Sequence, residues 1–181
     1  DLHSFPTRRS SDLLVIYYPA VFQSLMRSSQ SVVSWTEHTG AVTNLEYMPG
    51  ENHRLVSVSD YGEIILSERQ GNNLKTKVLF RNKDFDFRDV IINRTNGCIY
   101  AASRSGHLVV VQQDLKTVKV VDLDKIEHPM RLHDISDNNL LIIGENSLGL
   151  YDIKRNILRS TRQLNFRVIK GSRKNSLPLL F

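Results

Sequence analysis

Six histidines, one cysteine and nineteen acidic residues are the groups from which this chain could build a reactive centre. The lone Cys98 supports neither a disulfide framework nor a thiolate zinc site. It falls inside a predicted strand, where a thiol serves as a small core residue. The histidines are scattered. There is no His-Glu-x-x-His pair, no Gly-x-Ser-x-Gly elbow and no glycine-rich phosphate loop of either common form. His133 and Asp134 are neighbours in a predicted strand, so they point to opposite faces and form no dyad. The run Asp84-Phe85-Asp86-Phe87-Arg88-Asp89 alternates carboxylates in a way that could gather calcium. It lacks the glycine and the distal glutamate of a calcium loop. Phe85 and Phe87 are instead expected to anchor a connection between sheets, with Asp84 and Asp86 facing water or Arg88. Asn93-Arg94-Thr95 is a glycan acceptor only in a secreted eukaryotic protein. No residue is assigned a catalytic, cofactor or metal role.

The residues that would position any site are organised as a repeat. One pattern is written three times at a spacing of about forty residues: over 37–68, 85–113 and 130–155. Each copy breaks into short apolar runs separated by turn residues. Modules of this length built from short strands cannot each shield their own apolar faces, so they stack; the predicted fold is all-β, a β-propeller of four-stranded antiparallel blades. The first blade is expected at Ala41–Tyr47, Leu55–Val58, Ile64–Leu66 and Lys75–Phe80, with Val42, Leu45 and Tyr47 pointing inward. The second is expected at Asp89–Asn93, Cys98–Ala102, Leu108–Val111 and Val118–Val121, its first hairpin closed by Asn96-Gly97. The third is expected at Arg131–Ile135, Leu140–Ile143, Leu148–Tyr151 and Ile157–Ser160. Gly62 and Gly106 supply positive φ in corresponding turns, and Asn146 stands where a third glycine would be.

The blades divide the chain at about 37–82, 83–123 and 124–163, with a partial fourth over 164–181. Ahead of them, 17–28 reads as a short helix, with Pro19 in its first turn and Val21, Phe22, Leu25 and Met26 on one face. Residues 14–36 are therefore expected to be a short helix and linker. The stretch FPTRRSSDL resembles the translated product of a sequencing adapter, and 1–13 is expected to be non-native.

The first copy carries a nameable likeness. His38-x-Gly40-x-Val42, the strand LVSVS with Ser57, the turn Asp60-Tyr61-Gly62 and the closing EIILSE resemble a WD-repeat blade. The third copy ends Leu150-Tyr151-Asp152, similar to the family's Leu-Trp-Asp ending. In that family a loop His, a strand Ser or Thr, a turn Asp and the Trp are linked by hydrogen bonds. Here the resemblance implies His38, Ser57 and Asp60 for the first blade, but Ser67 stands at the Trp position and Asp60 sits one place early. An intact tetrad is not expected. The propeller is expected to be part of a larger protein, because closure takes four to eight blades.

Composition is that of a soluble protein, 40% apolar and 24% charged. No apolar run is long enough to span a bilayer as a helix. Net charge is +5, but residues 153–181 hold eight Lys or Arg and no acid, leaving the rest at −3. Those cations alternate with apolar residues and lack an aromatic stacking row, so nucleic acid is not the expected partner. The expected function is a non-catalytic protein-interaction scaffold in the cytoplasm. Its partner would be another protein or peptide, and its contacts would include further blades and domains of its own chain. Rim residues Tyr61, Arg104 and Arg131 are the binding candidates. Two alternatives stand: the sensor end of a bacterial ATPase or protease, whose propellers the helix before a His-x-Gly blade resembles, and a ligand-binding or enzymatic propeller using its channel.

Overall fold

The computed structural model describes residues 14–15, 34–35, 37–51, 53–71 and 73–165. Three four-stranded antiparallel sheets follow one another along the chain. The first is β3 (Val42–Tyr47), β4 (Arg54–Ser59), β5 (Glu63–Gln70) and β6 (Asn73–Arg81). The second is β7 (Phe87–Ile92), β8 (Ile99–Ser103), β9 (His107–Val111) and β10 (Val118–Asp122). The third is β11 (Arg131–Ser136), β12 (Asn139–Ile143), β13 (Ser147–Asp152) and β14 (Ile157–Gln163). Every strand lies within a few residues of its expected place. Two more short strands, β1 (Leu14–Val15) and β2 (Ser34–Trp35), pair antiparallel where the sequence suggests only helix and linker. The helix expected over 17–28, the non-native segment and the strand of a fourth blade from 166 onward lie outside the described residues.

The middle blade shows why the sheets stack. Its two central strands are apolar at consecutive positions, IYAA and HLVVV, so both faces must be covered. Ile99, Ala101, Val109 and Val111 join Val56, Val58, Ile64, Leu66, Phe85 and Phe87 in a core between blades one and two. Tyr100, Ala102, Leu108 and Val110 join Leu132, Leu140, Ile142 and Tyr151 in a second core between blades two and three. Strand period two sends alternate residues to the two neighbours. Cys98 is buried in the second core, and burial pushes its thiol up. The outer strands carry Lys75 and Lys77, Lys119, and Arg159 and Arg162, charges that discourage edge pairing.

Several local expectations are corrected. β3 is half-buried along its whole length, so Val42, Leu45 and Tyr47 form no buried inward face; β3 is an innermost strand, packed on β7 and not between two apolar sheets. Asn96-Gly97 does not close a two-residue hairpin. The loop spans the six residues from Asn93 to Cys98, with Gly97 alone of the pair at positive φ. Asn93 is the reason: its Oδ1 accepts from the amides of Thr95 and Asn96 and builds a wider turn. Asn146 does not take positive φ either. In the first two blades three residues separate the facing ends of the second and third strands: Ser59 and Glu63, one step beyond the Val58–Ile64 pair, then Ser103 and His107. In the third blade Gly144 N–H donates to Ser147 O and only Glu145-Asn146 intervene, so the left-handed position is gone. The register survives, because Gly62, Gly106 and Asn146 each accept through their carbonyl from the residue following the outer strand: Asn82, Leu123 and Leu164.

Candidate functional site

Polar groups in this fold fall into two sets, those sealed into seams and those left on a rim. The densest sealed set is in blade one. Glu63 opens β5 and is fully buried. Its Oε2 accepts from the Thr39 amide at 2.9 Å, from Ser59 Oγ at 3.0 Å and from His38 Nδ1 at 3.2 Å. Its Oε1 accepts from Thr39 Oγ1 at 2.9 Å and forms an ion pair with Arg81, whose Nε lies 3.1 Å away. Because a carboxylate only accepts, His38 carries its proton on Nδ1, and Nε2 accepts from Ser57 Oγ at 2.7 Å. Burial is the largest effect on the Glu63 carboxyl and raises its pKa. The hydrogen bonds from Thr39, Ser59 and His38 together outweigh it and hold the group below its ordinary range. Burial also dominates at His38, lowering its pKa against the pull of Glu63.

The chain thus retains the His38–Ser57 link that the family likeness implies, with the acid supplied by Glu63. Asp60 does something else: its Oδ1 accepts from the Ala41 amide at 2.6 Å, while its own amide donates to Ala41 O. Gly40 is needed because a Cβ there would lie 2.4 Å from Tyr61 Cβ. Ser67, at the family's Trp position, is buried with its hydroxyl unpartnered among the described residues. Tyr151 is fully buried, donates from its hydroxyl to Asn156 Oδ1 and meets Tyr100 edge-on at 6.4 Å. Burial raises both phenols, Tyr100 to about 12. Asp152 caps the Arg155 amide and lies near the guanidinium groups of Arg155 and Arg159.

The innermost strands are stitched to one another. Thr43 Oγ1 donates to Phe87 O at 2.7 Å, and Asn44 Nδ2 donates to Asp89 Oδ1. Asp89, 4% exposed, also accepts the Leu132 amide at 2.9 Å, so one carboxylate ties three blades. Asn93 Nδ2 donates to Asp134, and Thr95 Oγ1 to Asp137. Asp89 on β7 and Asp134 on β11 are therefore occupied in different bridges. Asn93 is 1% exposed and its amide nitrogen is bonded, so it is no glycan acceptor in this fold. Phe85 and Phe87 anchor the first connection, stacked and edge-on against Phe80, while Asp86 pairs with Arg88 at 2.5 Å. An open cleft of about 210 Å³ lies between the outer strands of blades two and three, lined by Asp122, Asp124, Lys125 and Arg159 among others.

The rim follows from antiparallel order. In each blade the second-to-third strand turn and the connection to the next blade emerge at the same end. Tyr61 lies in the first such turn and Arg104 in the second, and Arg131 opens β11 opposite Ile143 at that end. Tyr61 is 54% exposed, Arg104 is exposed and Arg131 is half-buried. Arg104 O accepts from His128 Nδ1 at 3.3 Å, which joins the second turn to the following connection. The three candidates thus share one face. Glu63 is the residue that sequence reading missed. Its sole signal is a charged residue opening an otherwise apolar strand, opposite Ser59.

No protein-family model matches the chain, and no curated protein matches it by sequence. Solved structures do. The WD40 β-propeller domain of Doa1 superposes with a TM-score of 0.57 at 14% identity, over 75% of this chain and 44% of that one. The β-propeller domain of Cps50 (Swd1) from Myceliophteria thermophila gives 0.55 at 11%, over 64% and 40%. A chain of the mitotic checkpoint complex gives 0.67 at 14%, over 85% and 47%. The fold is that of a WD-repeat β-propeller, in three consecutive blades, and the chain spans less than half the length of each of these structures.

Proposed function

We propose that this part of the protein is a non-catalytic interaction module whose turn-bearing face holds another protein or a peptide. One observation carries the reading. Among the described residues, the buried groups that could do acid–base or nucleophilic chemistry are committed to structural hydrogen bonds, His38, Ser57 and Glu63 within blade one and Asp89 and Asp134 between blades, whereas Tyr61 and Arg104 stand out from the rim. Exposed Tyr and Arg on a fixed scaffold are the residue types that become binding anchors, because they bring large contact area with few rotamers to freeze.

A displayed peptide library selected against the chain tests this. Ligands are expected whose affinity falls about 30-fold, the scale of a 2 kcal/mol anchor, in Tyr61→Ala or Arg104→Ala, with melting temperature unchanged. Substitution of Arg94 and Lys116, at the opposite end of the blades, is expected to leave binding intact. Ligands indifferent to the first pair and abolished by the second would move the site to the other face.

A further inference from the structure

We propose that the Glu63 cluster is an acid-released latch: it clamps the lead-in segment 37–41 onto the Tyr61 turn at neutral pH and lets it go on acidification. The latch itself does not depend on the binding role given above to Tyr61; only its effect on a partner would.

The geometry sets this up. Four hydrogen-bond donors and the Arg81 guanidinium converge on one buried carboxylate, and three of the donors come from the lead-in segment: the His38 ring, the Thr39 amide and the Thr39 hydroxyl. The same segment closes on the turn through Ala41 and Asp60, with Gly40 packed against Tyr61. Opening the carboxylate therefore frees both the segment and the turn that presents Tyr61. Five charged or titratable groups govern the pocket. His38 and Glu37 belong to the segment, Asp60 to the turn, Glu63 to β5 and Arg81 to β6.

His38 is the first group to respond. As a neutral ring it accepts from Ser57 through Nε2. Protonation turns Nε2 into a donor aimed at a serine oxygen whose own proton must then find another acceptor, in a site closed to water. The folded ring thus resists a proton that the released ring takes up readily. A group with its folded pKa below its free value adds stability above the free value and loses it as pH falls, here below about 6.5. Glu63 behaves the same way lower down. Its contribution is whole above about 4.5 and disappears as pH falls through its depressed folded value. The latch opens in two acid steps, His38 first and Glu63 lower down.

Amide hydrogen exchange followed by NMR, corrected for intrinsic rates, reads the opening directly. In the wild-type chain the protection of the Thr39 and Ala41 amides is expected to fall about tenfold between pH 7.5 and pH 5.5, one pH unit below the free imidazole value. Val109–Val111 in the middle blade should keep theirs. His38→Gln, which can still bond but cannot titrate, should flatten that profile. The ring titration of His38 in the wild-type chain supplies a second readout that needs no variant: its midpoint should coincide with the loss of Thr39 protection. Constant protection across the range, an equal fall in His38→Gln, or a ring midpoint that does not track the amides would overturn the latch.

Discussion

Gly62→Ala is expected to destabilise the chain by about 4 kcal/mol or more, a drop of roughly 12 °C in Tm, whereas Gly106→Ala costs about 1–2 kcal/mol. Both glycines have positive φ, 72° and 91°, so both substitutions carry backbone strain. They differ in what lies beyond. A Cβ at position 62 would sit 1.7 Å from Asn82 O and 2.6 Å from its carbon, and these are backbone atoms that cannot rotate away. The Asn82 amide donates to Gly62 O at 2.9 Å, and Phe85 N–H donates to Asn82 O at 3.0 Å. Pushing Asn82 aside therefore unseats Phe85, which packs against Phe80 and Phe87 at the top of the first inter-blade core. At position 106 nothing lies within 4 Å of an added Cβ. Thermal unfolding of the two variants checks the contrast. Equal losses would mean that the first blade-to-blade connection does not lie against the turn as described.

The second large effect falls on the inner seam. Asp89→Ala is expected to cost about 3 kcal/mol, or about 9 °C in Tm, because it strands the buried Leu132 amide and removes the partner of the half-buried Asn44 side chain. Asp89→Asn keeps an acceptor for one of the two and should lose about half as much. Asn44→Ala, which leaves Asp89 its bond to Leu132, should cost about 1 kcal/mol. Urea denaturation of the three variants orders them; an Asp89→Ala chain within about 0.5 kcal/mol of wild type would remove this carboxylate from the account of how the blades hold together.

The strands were legible because apolar runs and turn residues recur together. IYAAS and HLVVV mark doubly covered strands without help from tertiary structure, and the forty-residue spacing places their counterparts. What escaped is local and polar. Glu63 looks like an exposed charge beginning a strand, and only the fold brings His38, Thr39 and Arg81 to it. Asp60 fits the WD-repeat pattern by residue type while its geometry serves the Ala41 amide. Asn96-Gly97 carries a hairpin signal that Asn93, three residues earlier, overrides through side-chain bonds to the backbone. Asn146 stands in register with the two glycines, but one residue fewer in its turn removes the need for positive φ. Among the rim candidates, residue type suggested Tyr61, Arg104 and Arg131; their common face is a product of antiparallel order that no single residue announces.

The central claim is that the middle blade is a two-faced layer between its neighbours. Methyl nuclear Overhauser spectroscopy on the labelled chain tests it most directly. The methyls of Val109 and Val111 should show cross-peaks to blade-one residues such as Ile64 and Leu66, and those of Leu108 and Val110 to Leu140 and Ile142 of blade three. If all four residues instead report to one neighbour, or to neither, the sheets are not stacked as a propeller and the account fails.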